Sequence, residues 1–185
     1  MKTTEYLAEV IEELNQTVHL ISDSEAEKLV QQILASKKIF VAGAGRSGLM
    51  GKAFAMRMMH MGMDAYVVGE TVTANLEKGD LLILGSGSGE TKTLVAIAEK
   101  AKSLGGTIAA ITISPASTIG RLADIVVKLP GVTKDQSESD YRTIQPMGSL
   151  FEQAMLLLYD AIILRFMETK NLDSNKMYGK HANLE

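Results

Sequence analysis

Two short stretches rich in glycine and hydroxyl side chains hold most of the chemistry this chain can do. Residues 41–48 read VAGAGRSG, with glycines at 43, 45 and 48 that spell G-x-G-x-x-G. Residues 85–91 read GSGSGET, alternating glycine with serine before a threonine. Each stretch follows an apolar run and opens a helical pattern, a setting in which backbone amides and the helix dipole favour an anion. Ser47 in the first stretch, and Ser86, Ser88 and Thr91 in the second, add hydroxyls that can donate to phosphate oxygens. Gly45 and Gly87 let the backbone itself approach the ligand. Arg46 either joins this anion site or is a solvated surface arginine.

Which phosphate these loops face is a separate question. A dinucleotide site needs a carboxylate about twenty residues beyond its glycines to hold the ribose hydroxyls. Glu70, at the end of the next apolar run, meets that requirement. A dinucleotide has no use for the second loop, however, whereas two hydroxyl-bearing loops converging on one anion fit the phosphate monoester of a sugar. The competing explanation is that both stretches are tight turns needing positive φ. Serines at alternate positions in the second serve no such turn requirement. Neutral donors suffice to hold such a group. Three or four charge-assisted hydrogen bonds of about 1.5–3 kcal/mol each, with a helix dipole, bind a dianion without a lysine cage.

Proton-transfer groups are fewer. Glu152 sits in GSLFEQ at the start of a long helical pattern, and by spacing alone it reads as the partner of Ser149 in a capping box. His181 is of a residue type that titrates near neutral pH and can relay protons to a sugar hydroxyl or ring oxygen, but by its place near the chain end alone it reads as a loose tail. His19 and His60 lie within helical patterns and read as packed or surface histidines. The chain has no cysteine and no histidine pair at ligand spacing, so no metal is expected. The methionines of MRMMHMGM (56–63) read as helix packing, with a thioether-lined soft-metal site as the alternative.

The elements that must position these groups follow from periodicity. Apolar residues at 7, 10, 11, 14, 18 and 21 predict a first helix, which can pack on its own sheet or on another subunit. Ser22 and Glu25 have capping-box spacing at the start of a second. Five runs rich in Ile, Val and Leu follow (KIFVAG, AYVVG, LLILGS, TIAAITIS, DIVVKL), most of them separated by helical patterns. Continuous apolar runs imply burial on both faces, as in a parallel sheet. The expected fold is a three-layer α/β sandwich with a five-stranded parallel sheet flanked by helices. The polar stretch after the fifth run, including DQSESD at 135–140, reads as a solvated loop. A long helix over about 146–170 carries apolar residues at 147, 150, 151, 154, 155, 158, 161 and 162.

Composition narrows the function classes. A chain of 185 residues, 46% hydrophobic and 22% charged, is sized for one domain with a full core. That domain is expected to span 1–185, with helices over 1–36, an α/β core over about 37–170 and a tail over 171–185. A net charge of −3 without a basic stripe argues against nucleic acid as a partner. The charged, periodic N-terminus and the lack of a long apolar stretch predict neither a signal peptide nor a membrane span, so a cytoplasmic protein is expected.

The strand–GAGRSG–helix and strand–GSGSGET–helix pair resembles the SIS (sugar isomerase) domain family, whose members bind phosphosugars through such Ser/Thr loops. Within it, QPMGSLFEQ (145–153) and the terminal HANLE (181–185) resemble the 6-phospho-3-hexuloisomerases. The resemblance covers nearly the whole chain. It implies a flavodoxin-like fold, no cofactor, and interconversion of 3-hexulose 6-phosphate and fructose 6-phosphate through an enediol. It further implies Glu152 as the base and His181 as a second group reaching a neighbouring subunit's site. A homotetramer is implied too, with 3-hexulose-6-phosphate synthase as its neighbour in formaldehyde fixation through ribulose monophosphate. The loops alone leave open another SIS isomerase acting on a pentose or heptose phosphate, or a non-catalytic phosphosugar sensor.

Overall fold

The five apolar runs form five strands: β1 (Lys38–Gly43), β2 (Asp64–Val67), β3 (Leu81–Gly85), β4 (Thr107–Thr112) and β5 (Ile125–Lys128). All pair in parallel, in the order β2-β1-β3-β4-β5. Successive strand side chains point to opposite faces, and here both faces are buried. Ile39, Val41, Leu81, Ile83, Ala109 and Ile111 pack into one core. Their neighbours Phe40, Ala42, Leu82, Leu84, Ile108 and Ala110 pack into another. Neither face needs polar residues, so the strands read as continuous apolar runs.

The computed structural model describes residues 1–132, 142–173, 177, 179 and 181. The DQSESD stretch at 135–140 and the last four residues of HANLE lie outside the described residues. Helices α2 (Asp23–Ala35), α3 (Gly45–His60) and α6 (Ser149–Lys170) cover one face of the sheet, through Leu29, Ile33, Phe54, Met58, Met155 and Phe166 among others. Helices α4 (Lys92–Ser103) and α5 (Thr118–Leu122) cover the other, through Leu94, Ala98, Ala101 and Ile119. The result is the expected three-layer sandwich, and its strand order is that of the flavodoxin-like doubly wound folds. Among the described residues, no helix is long and apolar enough to cross a membrane.

Three details differ from the sequence reading. Helix α1 (Thr3–Val18) does not bury its whole stripe. Leu14 packs toward the core, while Leu7, Ile11 and Val18 are 57%, 58% and 61% exposed. The α2 capping box is half made: the Ser22 hydroxyl accepts the Glu25 N–H at 3.4 Å, but the Glu25 carboxylate accepts the Lys128 N–H at 3.1 Å and ties α2 to β5. Helix α6 begins at Ser149, three residues after Pro146, because Met147 adopts φ 56° and Gly148 is the N-cap. Met147 is therefore exposed and off the apolar stripe, as is Ala161.

Candidate active site

In an open parallel sheet, ligands bind beyond the carboxyl ends of the strands where the winding direction reverses. Here that point lies between β1 and β3, whose last residues Gly43 and Gly85 are paired in register. The two glycine-rich loops leave the sheet side by side and wall a cavity of about 440 Å³. Gly45, Arg46, Ser47, Ser86, Gly87, Ser88, Thr91 and Glu152 all line it.

The first loop owes its glycines to backbone geometry. A Cβ on Gly48 would sit 2.6 Å from the Gly43 carbonyl oxygen, and one on Gly43 would sit 2.9 Å from Gly48, so the strand end and first helical turn close on each other. Gly45 has φ 58° and nothing within 4 Å of its missing side chain, leaving backbone open toward the cavity. Both helices that start here are bare at their N-termini. Neither α3 nor α4 has a side-chain cap or an acidic residue in its first turn. By contrast α2 and α5 are capped by Ser22 and Ser117. An anion in the cavity would supply what those two helix ends lack.

The second loop corrects one expectation. Ser86 and Ser88 do serve the turn: their hydroxyl oxygens accept the Gly89 and Glu90 N–H groups, each at 3.2 Å. Those bonds use lone pairs and leave each hydroxyl hydrogen to donate, as a phosphate requires. Thr91 is the N-cap of α4 but caps nothing; its hydroxyl lies 3.4 Å from that of Ser86. Glu90 braces the loop from outside by accepting the Thr118 N–H at 2.7 Å, which holds its carboxyl below the ordinary range.

Glu152 enters the cavity from the first turn of α6, flanked by buried Phe151 and Met155. The capping-box reading does not hold. With Gly148 as N-cap, Ser149 is the first helical residue and makes no cap bond. Both members of that pattern turn instead to Arg46, whose Nη1 donates to Glu152 Oε2 at 2.9 Å and to Ser149 Oγ at 3.0 Å. Arg46 is thus no bystander on the surface, though its side chain is 47% exposed against 12% for Glu152. The sequence offered Ser149 only as a helix cap; its spacing to Glu152 concealed a contact with a residue far away in the chain.

Other residues fall elsewhere. Glu70 pairs with Lys52 at 3.1 Å in a separate pocket and does not line the cavity, which removes the ribose carboxylate a dinucleotide site needs. His19 is exposed. His181 is not brought to Glu152; its ring stacks on His60 at the far end of α3. Gln145 anchors the approach to α6. Its Nε2, the Ile144 N–H and the Thr143 hydroxyl all donate to the Glu13 carboxylate on α1, at 2.9, 2.8 and 2.6 Å. Burial pushes the Glu13 carboxyl up, but those three bonds outweigh it and hold the group below the usual glutamate value.

Known proteins resemble this chain in sequence and in fold. The family model for the SIS domain matches residues 32–164. A 3-hexulose-6-phosphate isomerase from Bacillus subtilis (strain 168) is 60% identical over 185 residues, all of both chains. Another from Methanocaldococcus jannaschii is 40% identical over 161 residues, which is 87% of this chain and 84% of that one. The crystal structure of a Methanococcus jannaschii protein, from which a 3-hexulose-6-phosphate isomerase function was inferred, superposes with a TM-score of 0.83 at 37% identity, covering 98% of this chain and 99% of that one. By its loops, its fold and these matches, the chain belongs to the SIS domain family.

Proposed function

We propose that the chain is an isomerase that interconverts 3-hexulose 6-phosphate and fructose 6-phosphate. The observation that carries this reading is the Arg46 bridge: it joins a carboxylate to the first glycine-rich loop, in a cavity that the second loop also lines. The phosphate sits against the bare N-termini of α3 and α4, with donors from Ser47, Ser86, Ser88 and Thr91, open backbone at Gly45, and Gly87 in the cavity wall. Glu152 then removes the C2 proton, alpha to the C3 ketone, leaving an enediol over C2 and C3. The same carboxyl returns the proton to C3, so one group serves both half-reactions. Meanwhile O3 gains a proton and O2 loses one, the transfer assigned to His181. Arg46 follows the phosphate and positions the Glu152 carboxylate.

His181 cannot make that transfer within its own subunit's cavity. It lies beside the last residue of α3, about 22 Å along the helix from Gly45 at 1.5 Å per residue. On this reading it serves a second copy of the chain, in a homotetramer. The exposed apolar residues of α1, Leu7 and Ile11 with Tyr6, support such an assembly. The enzyme then works in the cytoplasm beside a 3-hexulose-6-phosphate synthase, in formaldehyde fixation through ribulose monophosphate. A coupled assay tests the core of the proposal: 3-hexulose 6-phosphate is supplied and fructose 6-phosphate detected. Arabinose 5-phosphate and sedoheptulose 7-phosphate run alongside, and turnover of either in place of the hexulose would reassign the substrate.

A further inference from the structure

His60 ends α3 and is 5% exposed, at the end of the helix remote from the phosphate loops. Arg57, one turn earlier, approaches its Nδ1 at 3.4 Å. A guanidinium can only donate, so Nδ1 accepts and the neutral ring carries its hydrogen on Nε2. Burial foremost, then the charges of Arg57 and His181, push the His60 pKa down, so this ring is neutral at neutral pH. The His181 ring lies on it, with centroids 5.3 Å apart and planes inclined by 27°. His181 is exposed where His60 is buried. The pair opens onto a cavity of about 450 Å³, whose charged groups are Arg57 from α3 and Asp160 from α6, and whose apolar wall includes Ile163 and Met167.

We infer that His60 is a positioning residue for His181: its buried ring is the fixed face that holds the exposed His181 imidazole in one orientation for proton transfer. The inference rests on the reading of His181 as a proton-relay group. An exposed imidazole samples many orientations unless something packed restrains it. Misplacing a transferring group by about 1 Å lowers a rate by roughly 10²-fold. Here the restraint comes from a ring that Arg57 and burial have already locked, on a helix that continues to the phosphate loop of its own subunit.

The experiment is a double-mutant cycle on the full-length enzyme, read as kcat and KM for 3-hexulose 6-phosphate. Leucine fills the His60 site without a planar face, and phenylalanine keeps the face. H60L lowers kcat by about 10²-fold with KM unchanged, and H60F recovers most of that loss. H181A lowers kcat by roughly 10²–10⁴-fold, and adding H60L to it lowers kcat no further. Thermal melting checks that each variant folds; should H60L not fold, H60A is read in the same way. The inference is overturned if H60L keeps wild-type kcat, or if it costs the same factor whether or not His181 is present. If H181A alone keeps full activity, the fault lies with the His181 reading, and that arm identifies it.

Discussion

Glu152→Gln separates the chemistry of the carboxylate from its part in the fold, because the two effects differ by orders of magnitude. In the structure Glu152 Oε2 accepts from Arg46 Nη1 at 2.9 Å, within a side chain that is 12% exposed. Glutamine has nearly the same volume and keeps an oxygen that can accept from Arg46. What is lost is the charge of the pair. With the Arg46 side chain 47% exposed, water screens that pair to a contribution of about 1 kcal/mol or less. For a chain of this length that lowers Tm by about 2–4 °C. Removing a general base, by contrast, lowers kcat by roughly 10²–10⁴-fold, about 2.7–5.4 kcal/mol of barrier. The coupled assay reads the rate, and wash-in of deuterium from D₂O reads the proton transfer directly. Wild-type enzyme carries solvent hydrogen into the sugar at C2 or C3 while the proton resides on Glu152; E152Q does not. A variant that retains more than about a tenth of kcat, or exchanges deuterium at the wild-type rate, refutes the assignment.

On the proposed function, Arg46→Gln removes a charge-assisted contact to the phosphate of about 1.5–3 kcal/mol, so KM rises about 10–150-fold and inhibition by inorganic phosphate weakens in parallel; an unchanged KM leaves Arg46 as a partner of Glu152 alone. Tyr159→Phe stabilises the protein. The Tyr159 ring stacks on Phe54 at 4.2 Å, but its hydroxyl is buried with no hydrogen-bond partner among the described residues. Deleting it removes an unsatisfied group worth about 1–3 kcal/mol, so Tm rises by at least about 2 °C, and a fall counts against the argument. Glu13 makes stability pH-dependent on the acid side. Its carboxyl titrates lower when folded than its ordinary value of 4.5, so its contribution is complete above that value and disappears as pH falls through the lowered one. Wild-type Tm therefore falls faster than that of Glu13→Gln below about pH 4.5, and parallel melting curves there would contradict the role given to Glu13.

What the sequence displays and what it hides follow from how far apart the interacting groups lie. The sheet was legible because burial on both faces writes itself as unbroken Ile, Val and Leu, and because each crossover helix lies between the strands it joins. The loops were legible because glycine at Gly43, Gly45 and Gly48 answers a local demand, a close approach of backbone to backbone and one positive φ. The double use of Ser86 and Ser88 was not legible. A turn takes the lone pairs of a hydroxyl and a ligand takes its hydrogen, so one residue type meets both needs and composition cannot tell them apart. The start of α6 was hidden for a related reason. Pro146 is a good first helical residue, and nothing nearby announces that Met147, a residue with a Cβ, will adopt φ 56°.

Ser149 and Glu152 make the same point about the site. The pattern S-x-x-E signals a capping box only when the serine is the N-cap, and a shift of one residue voids the signal. Met147 and Gly148 impose that shift by breaking the chain just before the helix, so Ser149 falls inside it. Both side chains are then left without a local partner, and Arg46, about a hundred residues earlier, takes both. Had the helix begun one residue later, Glu152 would brace its own backbone and leave Arg46 alone with the phosphate loops. The strained residue and the uncapped helix start are thus what put the carboxylate in the cavity. His181 lies further still from local rules: its ring stacks on one at the end of α3, and its proposed use depends on a second copy of the chain.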